Sequence, residues 1–136
     1  MKTYDILILG GGASALACAA KLNKNLSVAI VDSNPKTAQK LKISGGGKCN
    51  FTASNISSEH YLGDSELVES VLNAYPKEEL LRELKQEHLA FELRKNRYYF
   101  CKNSSSDLIS ILSKQAHHAS LLLSHTILGV CKQDEL

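Results

Sequence analysis

Two stretches of this chain carry residue types that could do chemistry with a phosphate-bearing cofactor. In the first, the apolar run Ile6-Leu7-Ile8-Leu9 leads straight into Gly10-Gly11-Gly12-Ala13-Ser14-Ala15. Asp32 stands 22 residues after Gly10 and closes a second apolar run, Val28-Ala29-Ile30-Val31. A strand, a GxGxxA turn, a helix and a second strand ending in an acid are the sequence form of a dinucleotide-binding βαβ unit. Gly10 permits the tight turn, and Gly12 leaves no side chain between the main chain and a pyrophosphate. The amides around Ala13 and Ser14 open a helix whose positive end suits that negative charge. Ala15 takes the third fingerprint position, where a small residue lets the helix lie close to the strand. Asp32 would accept hydrogen bonds from a ribose hydroxyl, with Ser33 beside it. A tight structural turn with Asp32 as a surface cap is the plainer alternative.

The second stretch is Lys40-Leu41-Lys42-Ile43-Ser44-Gly45-Gly46-Gly47-Lys48-Cys49-Asn50-Phe51-Thr52. Consecutive glycine amides without side chains can track a phosphate, a ribityl chain or a ring edge. Lys48 can neutralise charge there. Lys42, Ser44, Cys49 and Asn50 complete the candidate set. A Walker-type phosphate loop fails at two points, because Lys42 stands where the first glycine must be and Cys49 replaces the magnesium-binding hydroxyl. Cys49 beside Lys48 could be a thiol of lowered pKa, although packing explains it more simply.

The elements that must position these residues follow from periodicity. Strands are expected over about Tyr4 to Leu9 and Leu26 to Val31, both buried on two faces as in a parallel sheet. The helix between them runs from about Ala13 to Lys24 and supplies the crossover. Ser33 to Ser58 is long, polar and irregular, with one short helix over Thr37 to Ile43. Helices follow over Ser65 to Ala74, capped by Asp64 or Ser65, and from Pro76 to about His88. Short strands at Phe91 to Leu93 and Tyr98 to Phe100 form a hairpin around Lys95-Asn96. A helix runs from Ser106 to His117, and strands are expected at Leu121 to Ser124 and Thr126 to Cys131. The fold class is therefore α/β, an incomplete Rossmann-like parallel sheet. Its βαβ core covers 1–58, a helical insertion 64–118, and strands lie within 121–131.

The 136 residues are 43% apolar and 22% charged with a net charge of +2, which is ordinary for a globular domain. That balance offers no argument for nucleic acid or a membrane surface as partner. Cys18, Cys49, Cys101 and Cys131 form no CxxC pair, so neither a zinc site nor a disulfide framework is signalled, and a reduced cytoplasmic setting is expected. Cys18 reads as core, and Cys101 and Cys131 as strand residues. The uncharged stretch 6–20 resembles a signal peptide, but Asp5 and the glycines argue against one. Gln133-Asp134-Glu135-Leu136 resembles a retention tail only by chance. His117 and His118 suit a helix C-terminus, and His60, His88 and His125 show no partners. Arg94-Lys95-Asn96-Arg97 could grip a phosphate, but reads first as a solvated turn.

Together the two glycine stretches resemble the bacterial NAD(P)/FAD-dependent oxidoreductases of BaiN-like or aminoacetone-oxidase type. Those flavoproteins open with Gly-Gly-Gly-Ala-Ser-Gly and carry Lys-Leu-x-x-Ser-Gly-Gly-Gly-Arg-Cys-Asn-x-Thr after the second strand. This chain departs at Ala15 and Lys48, where the family has Gly and Arg, and matches its Gly-Arg-aromatic-aromatic-Pro segment only loosely at Arg97-Tyr98-Tyr99-Phe100. The resemblance implies FAD, with Gly10, Gly12, Ala13, Ser14 and Ala15 at the pyrophosphate and Asp32 at the adenosine ribose. Ser44, Gly45, Gly46, Gly47, Lys48, Cys49 and Asn50 would run towards the isoalloxazine. It also implies electron transfer between a reductant, with NAD(P)H the candidate, and an unidentified small-molecule substrate. Family members run longer, so the chain corresponds to their N-terminal part. The alternatives are a non-catalytic nucleotide-binding module and an NAD-binding Rossmann domain. Asp32 disfavours the phosphorylated ribose of NADP.

Overall fold

The computed structural model describes residues 2–132, so the tetrapeptide 133–136 lies outside the described residues. The chain divides into two compact units. One is made of the chain up to Lys42 and from Ile109 onward, and the other is Ile43–Leu108.

The first unit is built on a three-stranded parallel sheet in the order β1-β2-β6, with β1 at Ile6–Leu9, β2 at Val28–Val31 and β6 at Ser120–Leu122. The helix α1, Ala13–Lys21, joins β1 to β2. Its Ala15, Leu16 and Ala19 pack with Val28, Ile30, Ala116 and Ala119 in one core cluster, and Ile6 and Ile8 border it. Small residues on α1 are what allow that close approach. The helix stops at Lys21, short of the expected Lys24. Leu22 leaves helical geometry, and Asn23 accepts from the Asn25 N–H through its side chain and from the Leu26 N–H through its carbonyl. A short side-chain acceptor of this kind competes with helix continuation.

β2 is buried along its whole length, as expected. β1 is not. Leu7 and Leu9 are each about half exposed, because β1 is an edge strand whose second face is open. Thr126–Cys131, expected as a strand, has no regular structure, since it pairs with no strand among the described residues.

The second unit is an antiparallel sheet in the order β3-β5-β4, with β3 at Asn50–Ala53, β4 at Phe91–Arg94 and β5 at Tyr98–Cys101. The Phe51, Phe91 and Tyr99 rings meet edge-on or tilted at 5.7–6.3 Å between centroids. The hairpin forms where its sequence places it. Lys95 and Asn96 adopt φ of +51° and +50°, and the Arg97 N–H donates to the Arg94 carbonyl at 3.0 Å. The ladder pairs Arg94 with Tyr98, so a three-residue connection, 95–97, closes the hairpin, and its first two residues are left-handed. α3, Ser65–Ala74, is capped by Asp64, whose Oδ1 accepts from the Glu66 and Leu67 amides at 2.9 and 3.1 Å. α4, Lys77–Gln86, follows Pro76 and buries Leu84. β3 lies inside the stretch expected to be irregular, between α2 (Gln39–Ile43) and α3. The segment expected as a helical insertion therefore contains a β-hairpin whose third strand comes from outside 64–118. The last helix, α5, is Ser105–Gln115.

Ile30 is fully buried at the centre of the first unit. Ile30→Ala is expected to cost about 2–5 kcal/mol of stability, read as a lowered urea midpoint. A loss below about 1 kcal/mol would show that this core is not what holds the sheet together.

Candidate functional site

Each glycine of the first turn has a separate task. Gly10 sits at φ +97°, a conformation glycine takes without strain, and its N–H donates to the Val31 carbonyl at 2.8 Å. Gly11 is buried; its N–H donates to Asp32 Oδ2 at 2.5 Å and its carbonyl accepts from the Ala38 N–H at 2.8 Å. A Cβ on Gly11 would lie 3.1 Å from Asp32 Oδ2 and 3.3 Å from Thr37 Cγ2, so only glycine fits without displacing them. Gly12 is exposed, and a Cβ built on it meets nothing within 4 Å. Gly12 caps α1 without a side-chain hydrogen bond, and no acidic residue occupies the helix's first turn. The opening amides of α1 thus have open space at Gly12 and no carboxylate from the helix's own first turn.

Asp32 is engaged within the protein. Besides Gly11 on Oδ2, its Oδ1 accepts from the Asn34 N–H at 2.7 Å and from Asn34 Nδ2 at 2.8 Å. These bonds, the Asn34 amide first and the Gly11 amide second, hold the carboxyl below its ordinary pKa. Three of roughly four acceptor positions are filled, leaving Oδ2 able to accept one more donor. Asp32 is therefore both a structural clamp on the turn and a remaining acceptor. Ser33 and Lys42 are exposed, and Ala13 is half-buried next to the exposed Ser14. Ala15 is in the core.

The second glycine stretch lies in the other unit. Ser44–Gly47 forms a single tight turn, with Gly45, Gly46 and Gly47 all at positive φ. A Cβ on Gly45 would come within 2.8 Å of Phe100 Cε1 and 3.0 Å of the Asn50 amide nitrogen, so this glycine is required by packing as well as by φ. Cys49, at φ +46°, donates its N–H to the Ser44 carbonyl at 3.0 Å, and the Cys101 N–H donates to the Lys48 carbonyl at 2.9 Å. The Cys49 side chain is fully buried, and burial pushes its thiol pKa up. Desolvation outweighs the hydrogen bond with Ser44, which favours the packing reading of Cys49 over that of a lowered-pKa thiol. Burial, then the neighbouring Cys49, raises Cys101 to about 11. Cys18 and Cys131 are exposed, which corrects their assignment to core and strand. Lys48 is half-buried and Asn50 exposed.

The candidates therefore fall into two groups. Gly10, Gly12, Ala13, Ser14, Ala15, Asp32, Ser33 and Lys42 belong to the first unit, and Ser44 to Asn50 to the second. Gly11 was absent from the expected set although it makes the closest contact to Asp32. Its signal is a glycine at the x position between Gly10 and Gly12, where the fingerprint allows any residue. The second unit also holds an open cleft of about 920 Å³, lined by residues 50–56, His60, Tyr61 and the Lys95–Tyr98 turn. Of the expected site residues only Asn50 borders it. No helix among the described residues is long and apolar enough to cross a membrane.

Because its folded-state pKa is depressed, Asp32 contributes stability above its ordinary value of about 3.9. That contribution is lost as pH falls through the folded value. Asp32→Asn is expected to lower the melting temperature at pH 7, with the difference from wild type shrinking steadily below about pH 4. A difference independent of pH would show that the charge on Asp32 does not hold the turn.

Residues 4–135 match the family described as HI0933-like protein Rossmann domain. A ribosomal RNA dihydrouridine synthase of Haemophilus influenzae is 30% identical over 128 residues, covering 90% of this chain and 32% of that protein. The protein of the same name from Escherichia coli is 24% identical over 138 aligned positions, covering 98% and 34%. The chain thus spans about a third of the length of these curated relatives. The crystal structure of Thermovibrio ammonificans THI4 superimposes with a TM-score of 0.55 over 88% of this chain and 38% of that one, at 15% identity, a likeness of fold alone. A strand, a glycine turn and a helix on a parallel sheet, matched along almost the whole sequence, make this chain a member of the HI0933-like Rossmann-domain family.

Proposed function

We propose that this chain is the FAD-binding part of a flavin-dependent oxidoreductase. The observation that carries the reading is the open turn at Gly12, where α1 begins with no side-chain cap and no acidic residue in its first turn. A pyrophosphate suits that place, because its charge would meet the helix's opening amides and its bulk needs the missing Cβ. Gly10 and Gly12 shape the approach, Ala13, Ser14 and Ala15 supply the first-turn amides, and Asp32 offers its remaining lone pair to a ribose hydroxyl. The resemblance to aminoacetone-oxidase-type flavoproteins supports FAD over NAD. On the second unit, Ser44 to Lys48 present consecutive glycine amides beside a cation, a pattern that by itself suits a phosphate or a polar ring edge.

Bound flavin would supply two-electron transfer, while the protein supplies binding and orientation. The names of the curated relatives point to the electron acceptor, a uridine base in ribosomal RNA. Dihydrouridine differs from uridine by reduction of one ring double bond, a hydride and a proton added across it. We take that reaction as the activity to which this chain contributes.

Gly12→Val is expected to abolish FAD uptake, measured by flavin absorbance of the desalted protein and by quenching of flavin fluorescence in titration. A hydroxyl-bearing but smaller Gly12→Ser should retain part of the affinity. Unchanged FAD affinity in the valine variant would overturn the assignment of the pyrophosphate to this turn. Uptake of NADH without FAD would replace it with the NAD-binding reading.

A further inference from the structure

We propose that the open cleft of the second unit binds single-stranded RNA. The choice of RNA rests on the ribosomal-RNA reading above, and the cleft itself is argued from its own residues. No carboxylate among the described residues lines it. Lys95 and Arg97 stand exposed at its rim, and neither is ion-paired with a carboxylate among the described residues. Arg94, by contrast, is held by Glu92 at 2.7 Å and lies over the Phe100 ring, outside the lining. Two unneutralised cations on one edge suit a polyanion.

The rings in the cleft make the choice more specific. Tyr61 is about half exposed, and the Arg97 guanidinium lies 5.1 Å from the centre of the Tyr98 ring. Aromatic faces and stacked guanidinium planes are what receive unstacked bases. Asn50 and Asn96 add amide groups able to bond base edges. A duplex keeps its bases stacked on each other and would leave these rings unused. At about 920 Å³, the cleft sits near the top of the range of about 300–1,000 Å³ for small-ligand pockets. Being open as well, it suits a run of nucleotides better than one enclosed mononucleotide.

The rim is also built to hold its shape. Ser54 donates its N–H to the Arg97 carbonyl at 2.8 Å and its hydroxyl to the Asn96 carbonyl at 2.9 Å. The Lys77 ammonium donates to the Ser54 carbonyl from the other side. The Arg97 N–H, donating to the Arg94 carbonyl, closes the turn, so Lys95 and Arg97 are set on a braced hairpin. Preorganised cations lose less entropy on binding than cations on a mobile loop.

The test uses the full 136-residue chain and fluorescein-labelled single-stranded oligouridylate, followed by anisotropy at several salt concentrations. Lys95→Glu with Arg97→Glu is expected to weaken binding at least 10-fold and to flatten the logarithmic salt dependence by about 1.4. Tyr61→Ala should weaken binding about 10-fold with the salt dependence unchanged. All variants should keep the circular dichroism and FAD uptake of the parent chain. The proposal is overturned if Lys24→Glu, a charge reversal in the first unit, weakens binding as much as the cleft variants. It is equally overturned if duplex RNA binds as tightly as the single strand, or if polyglutamate displaces the oligouridylate at matched charge. A chain that retains FAD but binds no RNA overturns the cleft and leaves the flavin reading standing. RNA binding lost in the cleft variants of a chain that takes up no FAD supports the cleft and removes the flavin.

Discussion

The hydrogen bond from the Gly11 N–H to the Asp32 carboxylate is the constraint on which the first unit turns. It joins the end of β1 to the end of β2 through a side chain, where the strand ladder has already stopped. The same peptide unit's neighbour takes Ala38 through the Gly11 carbonyl, so the segment after β2 is folded back onto the turn. With Gly11 held by both its groups, Gly10 can take its positive φ and Gly12 can start α1 with nothing in front of it. A side chain on Gly11 would crowd Asp32 and Thr37, which would have to give by a few tenths of an ångström. The open place for an anion is therefore a consequence of a closed, fully used glycine next to it.

This gives Asp32 two roles that compete for the same lone pairs. Bonds from Gly11 and Asn34 keep it ionised and fix its orientation. What remains for a ligand is a lone pair on an oxygen already positioned by the turn. A carboxylate so held adds specificity at little entropic cost, since its rotamer is set before any ligand arrives.

Much of the fold was legible because its signals are local. β1, β2 and α1 show themselves as contiguous apolar runs around glycines, α3 by its Asp64 cap, and the hairpin by the polar break around Lys95-Asn96 between two apolar runs. What escaped depends on partners distant in sequence. Asn50–Ala53 carries one large apolar residue and becomes a strand only because β5 pairs with it. Thr126–Cys131 has strand-like composition but no strand beside it among the described residues, and composition alone does not make a ladder. The site divides the same way. Gly10 and Gly12 follow from the fingerprint spacing, whereas what favours glycine at Gly11 is a tertiary contact, the closeness of Asp32 and Thr37 to where a Cβ would stand. Cys49 beside Lys48 allows a reactive thiol or a packed one in sequence, and the burial that decides for packing comes from residues distant in the chain. A net charge of +2 likewise hid a local excess, because Arg94 is neutralised by Glu92 while Lys95 and Arg97 are not. Averages over a chain do not report which charges have partners.

Whether the Gly10–Ala15 turn holds FAD is tested most directly by nitrogen-15 NMR of the labelled chain during an FAD titration. The amide resonances of Gly10 to Ala15 and of Asp32 should shift together and saturate at one common dissociation constant, while riboflavin, which lacks the pyrophosphate, leaves them in place. Saturable FAD binding that moves none of these amides would contradict the assignment of the cofactor to the turn.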